Sequence, residues 1–182
     1  SISWKQENSN YYNIFKLIVK YDIIKVGMED SEGYDMYFVN RSDIEMRIAH
    51  IDQLLEQIET TKHFSTSIEK LALERAIHIM IEALLDVGNH MIDGFIMRDP
   101  GSYHDIIDIL IDEKVIPSED EKSYKDLIDL RQMLVQKYLK IDHDKLKDVI
   151  FTHIHIYKQF SKHIRTYLDN ELGVANAFSN EP

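Results

Sequence analysis

Residues 129–138, Asp-Leu-Arg-Gln-Met-Leu-Val-Gln-Lys-Tyr, bring three side chains of distinct chemistry close together in the chain. Arg131 carries a permanent positive charge on a planar fork of donors, which suits the binding of a phosphate or a phosphorane. Gln136 carries an amide, which neither takes up nor releases a proton near neutral pH. Tyr138 carries a phenolic hydroxyl group. The segment can therefore stabilise negative charge, whereas Gln136 cannot act as a general acid or base.

The spacing of these three residues predicts how a helix would present them. At about 100° per residue, Arg131 and Tyr138 lie roughly 20° apart around an α-helix, and Gln136 lies about 140° from Arg131. Pro117-Ser118 predicts the start of this helix, which we expect to continue to about Leu139. A pocket that uses all three side chains therefore requires a second helix or a second subunit.

Three segments of the chain resemble the HepT-like branch of the HEPN superfamily, whose motif reads Arg, four residues, His, any residue, Tyr. Besides residues 129–138, they are Leu-Leu-Asp-Val-Gly-Asn-His-Met-Ile at 84–92 and Gly-Ser-Tyr-His-Asp-Ile-Ile-Asp-Ile-Leu at 101–110. The resemblance covers about residues 37 to 172, in the order and spacing of the family. The sequence departs from the motif at Gln136, where the family has histidine.

The resemblance implies a metal-independent endoribonuclease that has no cofactor, works as a homodimer and is often the toxin of a toxin–antitoxin pair. The partners that it implies are RNA, a second copy of the chain and a small nucleotidyltransferase that serves as the antitoxin. This antitoxin adenylylates the motif tyrosine, here Tyr138. In the family's reaction a ribose 2′-hydroxyl attacks its own phosphodiester, and Arg131 would stabilise the doubly negative phosphorane.

Gln136 puts catalysis in question, because loss of general acid–base help costs on the order of 10² to 10⁴ in rate. Two functions therefore remain open. One is a slow ribonuclease toxin, in which Arg131 stabilises phosphate charge and Tyr138 positions the substrate or accepts a regulatory nucleotide. The other is a catalytically inactive relative that serves as a dimeric binding or regulatory module.

A long amphipathic helix predicted from about Ser67 to Phe95 carries a narrow polar stripe with steps of three and four residues. The stripe consists of Arg75, His78, Glu82, Asp86, Asn89 and Asp93, with His90 at its edge. One interpretation is the solvated side of the helix. The other is that Asp86, Asn89 and His90 line the same cleft as Arg131, as their match to the family segment implies. His90 is then a candidate for the missing proton carrier.

The composition narrows the classes of protein and site. The chain has 182 residues, 44% of them hydrophobic, with six Gly, three Pro and no Cys. These values favour one mostly helical domain and exclude disulfides, thiolate metal sites and cysteine nucleophiles. No His-Glu-x-x-His or Glu-x-x-His pattern occurs, so no metal site is predicted. The formal charge of −11 argues against broad binding of nucleic acid, so an RNA site would have to be local.

The chain shows no membrane span, because the longest apolar stretch, residues 14–26, is interrupted by lysines and an aspartate. We therefore expect a cytoplasmic protein. Two domain segments are predicted. Residues 1–35 form either an added leader or an ordinary N-terminal extension that packs on the bundle or the dimer, and residues 36–182 form a HepT-like helical domain.

The apolar periodicity predicts an all-α, up-and-down bundle of four or five helices. Besides the two helices described above, we expect a first helix over about 42–59, with Ser42 as N-cap and Glu45 completing a capping box. A short helix capped by Ser102 should follow, and a last helix should run from about His143 to Leu172, ended by Gly173. Leu134 and Val135 are expected in the core.

Overall fold

The computed structural model describes residues 40–61 and 63–178, without the side chains beyond residue 171. Its helices are α1 (Arg41–Thr61), α2 (Ser67–Gly94), α3 (Tyr103–Asp112), α4 (Glu121–Gln136), α5 (His143–Tyr157) and α6 (Phe160–Phe178), with a 3-10 turn at Ser118–Asp120. The described residues contain no strand, which confirms the all-α prediction. None of the described helices is long and apolar enough to cross a membrane. The predicted leader, residues 1–35, lies outside the described residues.

The start of α1 differs from the prediction. The side-chain oxygen of Asn40 accepts a hydrogen bond from the backbone N–H of Asp43 at 3.2 Å, so the predicted cap at Ser42 is wrong. Asn40 is the better cap because its amide also donates to the Asp43 carboxylate at 2.9 Å. Glu45 does not complete a capping box there, and instead accepts hydrogen bonds from Arg165 of α6.

Side-chain caps at the other helix starts agree better with the sequence. Ser102 accepts a hydrogen bond from the backbone at the start of α3, and Asp142 does the same at the start of α5. The predicted cap at Ser102 is therefore confirmed. The start of α2 is fixed by a reciprocal capping box between Thr66 and Glu69.

Two helices, α5 and α6, replace the single helix that was predicted over 143–172. The helical hydrogen bonding is interrupted by a turn at residues 158–159, with Tyr157 on one side of the turn and Phe160 on the other. Both rings are buried, and their centres lie 6.0 and 5.7 Å from that of Tyr124 on α4. The break therefore allows both rings to pack on α4. Neither Gly nor Pro marks it, so the sequence pattern did not reveal it.

The C-terminal helix also runs longer than predicted. α6 continues past Gly173 to Phe178, so the predicted stop at Gly173 is wrong. A glycine inside a helix costs only about 1 kcal/mol relative to alanine, which the remaining helix can tolerate.

The central element is α2, which packs against α1, α3 and α4 and contributes the largest share of the buried side chains. At Gly88, α3 crosses α2 so closely that an added Cβ would lie 2.4 Å from Cγ2 of Ile106. The missing side chain at Gly88 thus sets the distance between the two helices. It thereby sets the position of Tyr103, the first residue of α3.

Candidate active site

Arg131 lies on α4, where residues of two other helices hold its guanidinium. Its Nε donates to Glu82 Oε1 of α2 at 2.6 Å, and its Nη2 donates to Glu82 Oε2 at 3.4 Å. Its Cζ lies 4.7 Å from the centre of the Tyr103 ring, a cation–π contact. The hydrogen bond to Glu82 raises the pKa of Arg131, so the group remains a cation. These contacts fix the guanidinium in one orientation.

The Arg131 side chain is partly exposed, at 25%. Nε and Nη2 point to Glu82, whereas Nη1 makes no hydrogen bond or ion pair with any residue of the described ranges. A phosphate oxygen can therefore approach Nη1 without breaking the Glu82 contact.

Two further residues of the polar stripe on α2 extend the contacts around Glu82 and Arg131. His78 Nε2 lies 3.5 Å from Glu82 Oε1, the same oxygen that accepts from Arg131. One turn earlier, Arg75 Nη1 lies 3.4 Å from His78 Nδ1. We call Arg75, His78, Glu82, Tyr103 and Arg131 the Arg131 cluster. The cluster joins three helices and carries two cations, one carboxylate and one imidazole at a partly exposed surface.

The supporting residues predicted on α2 lie further along the same helix. Asp86 is one turn beyond Glu82 and accepts a 3.4 Å hydrogen bond from Arg47 of α1. Asn89 is exposed and His90 is half-buried. Among the described residues, no hydrogen bond or ion pair joins these three to Arg131. Their role in a shared cleft stays a prediction.

The motif residues Gln136 and Tyr138 lie at the end of α4, and their placement corrects the predicted geometry. The helix ends at Gln136, and the backbone N–H of Lys140 donates to the Lys137 carbonyl at 3.0 Å to close a turn. Tyr138 lies in this turn and is 66% exposed. The 20° relation to Arg131 therefore does not hold, because Tyr138 lies outside the helix. The helix ends before Leu139 since the chain must turn here to enter α5.

Several exposed side chains near these residues are apolar. Val135, predicted in the core, is 39% exposed, because it lies one turn beyond Arg131 on the same outward face of α4. Leu134 is half-buried and packs against the core. Leu139 is 87% exposed, and Ile68 and Leu71 at the start of α2 are exposed as well.

The start of α2 and the end of α4 lie at the same end of the bundle. His143, the first residue of α5, contacts Glu74 of α2 at 2.6 Å. We call the exposed apolar side chains of this region the apolar end patch, which comprises Ile68, Leu71, Val135, Tyr138 and Leu139. The patch continues the stripe of the Arg131 cluster along α2, because Leu71 precedes Arg75 by one turn.

Two members of the cluster, Glu82 and His78, were visible in the sequence only as members of the polar stripe. Tyr103 was part of the segment that resembles the family, and nothing in its spacing indicated a contact with Arg131. The close packing of α3 at Gly88 is what brings Tyr103 over the guanidinium. Contacts between helices that are distant in the chain cannot be read from periodicity.

Several histidines pair with acidic or hydroxyl groups rather than with one another. His104 contacts Asp129 at 2.7 Å, and His153 contacts Ser123 at 3.1 Å. Over residues 40–61 and 63–171, no group of three or more His, Asp or Glu side chains is arranged to hold a metal ion.

A family model described as "Ribonuclease HepT-like" matches residues 44–164, which is more than half of the chain and includes all members of the Arg131 cluster. The chain belongs to the HepT-like family. A relative in this family is YutE of Bacillus subtilis strain 168, provisionally named an RNase. It is 47% identical over 143 residues, which cover 79% of this chain and 99% of YutE.

Three solved structures are similar to this chain, with TM-scores from 0.73 down to 0.53. YutE, described there as a cytosolic protein of unknown function, has a TM-score of 0.73 at 47% identity and covers 75% of this chain and 96% of its own. A structure of the MntA-HpeT toxin–antitoxin has a TM-score of 0.60 at 19% identity, and the match covers 68% of this chain and 98% of that one. A third structure is an AMPylated HEPN toxin of Shewanella oneidensis in complex with an MNT antitoxin. Its TM-score is 0.53 at 20% identity, and the match covers 80% of this chain and 98% of that one. The last two support the fold alone.

Proposed function

We propose that this HepT-like protein is a metal-independent endoribonuclease that acts as a homodimer, with a rate reduced by Gln136. The observation that carries the proposal is the guanidinium of Arg131. Glu82 and Tyr103 fix its orientation, the side chain is partly exposed, and Nη1 makes no hydrogen bond or ion pair with the described residues. A cation held in a fixed orientation suits attack of the ribose 2′-hydroxyl on the adjacent phosphorus, because negative charge builds up on the phosphorane.

In this proposal Arg131 acts on the phosphate and the ribose supplies the nucleophile. The 2′-hydroxyl attacks the adjacent phosphorus, the bond to the 5′-oxygen breaks, and the products are a 2′,3′-cyclic phosphate and a 5′-hydroxyl. The Nη1 group of Arg131 would donate to a non-bridging oxygen whose charge increases in the transition state. Glu82 keeps the guanidinium in place during this step.

Local charge supports an RNA site in spite of the acidic chain. Arg75 lies within the cluster, and Lys137 and Lys140 are exposed at the nearby end of α4. These cations provide a local attraction for phosphates, which the net charge of −11 does not provide. We therefore expect contacts with a short stretch of single-stranded RNA and a rate that falls with added salt.

The apolar end patch supports the homodimer. A monomer would leave Leu139, Ile68 and Leu71 exposed at the end of the bundle, and exposed apolar side chains grouped in one region favour an interaction site. A second copy that covers the patch would bring the Gln136 and Tyr138 residues of both protomers towards the Arg131 clusters. This arrangement answers the sequence-based expectation that the motif residues need a second subunit.

We further propose that a nucleotidyltransferase antitoxin regulates the protein by modifying Tyr138. The phenol is 66% exposed, and in the described part of the chain no hydrogen bond holds its hydroxyl group. This exposure among the described residues supports modification of Tyr138 by an adenylyl group. Asp86, Asn89 and His90 remain candidates for support of the cleft. The HepT-like domain at 36–182 and a cytoplasmic location complete the proposal, the latter supported by the cytosolic description of YutE.

A second candidate function is a catalytically inactive binding or regulatory module. Two observations favour it, namely the amide at Gln136 and the ion pair that Glu82 forms with Arg131. The pair neutralises part of the charge that a phosphate would meet. In this case the fold, the patch and the dimer would be kept without turnover.

Cleavage of a labelled single-stranded RNA in the presence of EDTA tests the proposal. Wild type should cleave slowly, and Arg131→Ala should lose about 10²-fold to 10³-fold in rate. Arg41→Ala, which removes an exposed arginine paired with Asp169, serves as the control and should cleave like wild type. Gln136→His should cleave faster than wild type. If wild type is inactive and Gln136→His cleaves, the inactive module is the correct function.

A further inference from the structure

We infer that His78 is the proton carrier of this active site and takes over the role that the family motif assigns to histidine at position 136. The inference rests on the proposed ribonuclease function and adds a catalytic residue to it. Sequence reasoning pointed to His90 for this role, whereas the contacts of the Arg131 cluster point to His78.

The first argument is proximity to Arg131. His78 Nε2 lies 3.5 Å from Glu82 Oε1, and Arg131 Nε lies 2.6 Å from the same oxygen. The imidazole and the guanidinium therefore share one carboxylate oxygen. A phosphodiester that reaches Arg131 should also come within reach of His78, because both side chains contact the same oxygen of Glu82. The His78 side chain is half-exposed, so substrate can approach it.

The second argument is the orientation of the ring. A carboxylate can only accept hydrogen bonds and a guanidinium can only donate them. With Glu82 at Nε2 and Arg75 at Nδ1, the tautomer that satisfies both contacts has its proton on Nε2. The basic nitrogen is then Nδ1. A carboxylate that orients an imidazole in this way also stabilises the imidazolium that forms when the ring takes up a proton.

Arg75 completes the arrangement as a phosphate ligand. Its contact with Nδ1 is long, at 3.4 Å, and Arg75 is exposed. An arriving phosphate offers Arg75 a stronger, charged acceptor. Arg75 can therefore turn from Nδ1 to the phosphate, which frees Nδ1 at the moment when the 2′-hydroxyl is placed beside it.

Other histidines on these helices are less suitable. His90 lies about 80° around α2 from Glu82 and does not share its carboxylate. His104 is bound to Asp129, which lies about 200° around α4 from Arg131 and so faces away from it. His143 is bound to Glu74 at the far end of the cluster.

The proposed step balances without a metal or a cofactor. Nδ1 of His78 takes the proton of the 2′-hydroxyl while the 2′-oxygen bonds to phosphorus. The bond from phosphorus to the 5′-oxygen breaks, and the 5′-oxygen takes a proton from water. The imidazolium then returns its proton to solvent. Arg131 carries the phosphorane charge throughout, and Gln136 takes no part in proton transfer.

The test measures the rate of RNA cleavage against pH for the full chain. His78→Ala should lose about 10²-fold to 10⁴-fold in rate. Wild type should show a rate that rises with pH around neutrality, as expected for a histidine base, and His78→Ala should lose this rise. Added imidazole should restore part of the rate of His78→Ala, since it can enter the space that the side chain leaves. His155→Ala, which removes an exposed histidine of α5, should behave like wild type.

The charged groups around His78 must be included in the interpretation of the pH profile. They are Arg75, Glu74 and Glu82 on α2, Arg131 on α4 and His143 on α5, which is paired with Glu74. His143→Gln therefore serves as a second control, and its profile should keep the rise near neutral pH.

The outcomes separate the two proposals. If wild type does not cleave RNA, the ribonuclease function and the role of His78 both fail. If cleavage requires Arg131 while His78→Ala keeps the wild-type rate and pH profile, the ribonuclease stands and the role of His78 is refuted. A slow His78→Ala that keeps the pH dependence and does not respond to imidazole refutes it as well. Should His78→Ala fail to fold, His78→Asn replaces it, with the same expected loss of rate and of pH dependence.

Discussion

Gly88→Ala tests whether the close crossing of α2 and α3 holds the site together. The added Cβ would lie 2.4 Å from Ile106 Cγ2, a distance that requires a shift of one helix or of the isoleucine. Cγ2 is bonded to the β-branched Cβ of Ile106, which itself lies 3.9 Å away. A rotation of the side chain therefore cannot relieve the contact cheaply. The expected response is a displacement of α3, and with it of Tyr103.

Two opposing effects determine how Gly88→Ala changes the free energy of unfolding. Alanine is favoured over glycine in a helix by about 1 kcal/mol. Overpacking of a well-packed core costs typically about 1–3 kcal/mol. The balance is a loss of up to about 2 kcal/mol, with each kcal/mol lowering Tm by about 2–4 °C in a chain of this size. Without the clash, the same substitution would stabilise the protein.

Thermal unfolding followed by circular dichroism measures this balance. Gly101→Ala is the matched control, because its Cβ would meet no atom nearer than 3.6 Å and its unfolding should be close to that of wild type. In an Ile106→Ala background the clash is gone, so Gly88→Ala should there be neutral or stabilising. A Gly88→Ala single variant that is more stable than wild type would refute the reasoning.

Three further predictions concern other parts of the fold. Arg98 hydrogen-bonds Asp105 and lowers its pKa from 3.8 to about 2, so this stabilisation is present above pH 3.8 and is lost as the pH falls through about 2. Asp105→Asn should thus be less stable to heat than wild type at pH 7, and this difference should shrink as the pH falls to about 2, whereas a difference independent of pH would contradict this. Tyr157→Phe removes a buried 2.9 Å hydrogen bond to the Ser123 carbonyl and should cost about 1 kcal/mol in urea unfolding, whereas an unchanged midpoint would show that the bond contributes nothing. If the proposed homodimer uses the apolar end patch, Leu139→Asp should give a monomer in light scattering where wild type gives a dimer, and a variant dimer of unchanged stability would place the interface elsewhere.

The helical fold was predictable because its signals are local. The apolar period of α2 and the cap at Ser102 depend on residues a few positions apart, and both are confirmed. The break between Tyr157 and Phe160 was not predictable in the same way. It is stabilised by packing on Tyr124, more than 30 positions away, and not by a residue that disfavours helix.

The residues of the candidate site likewise fall into those that local sequence predicts and those that only the tertiary structure shows. Arg131, Gln136 and Tyr138 follow from the motif, whereas the partners of Arg131 are set by the tertiary structure. The sequence placed Glu82 on a polar stripe, but only the packing of α2 on α4 shows that it holds the guanidinium. Tyr103 required the crossing at Gly88.

The chemical identity of the RNA ends tests the central claim most directly. RNA should be incubated with wild type and with Arg131→Ala in EDTA, and the fragments analysed by mass spectrometry. Ribonuclease action through Arg131 predicts 2′,3′-cyclic phosphate and 5′-hydroxyl ends with wild type, and about 10²-fold to 10³-fold fewer such ends with Arg131→Ala. Intact RNA with both proteins, or equal amounts of the same fragments from both, would contradict it.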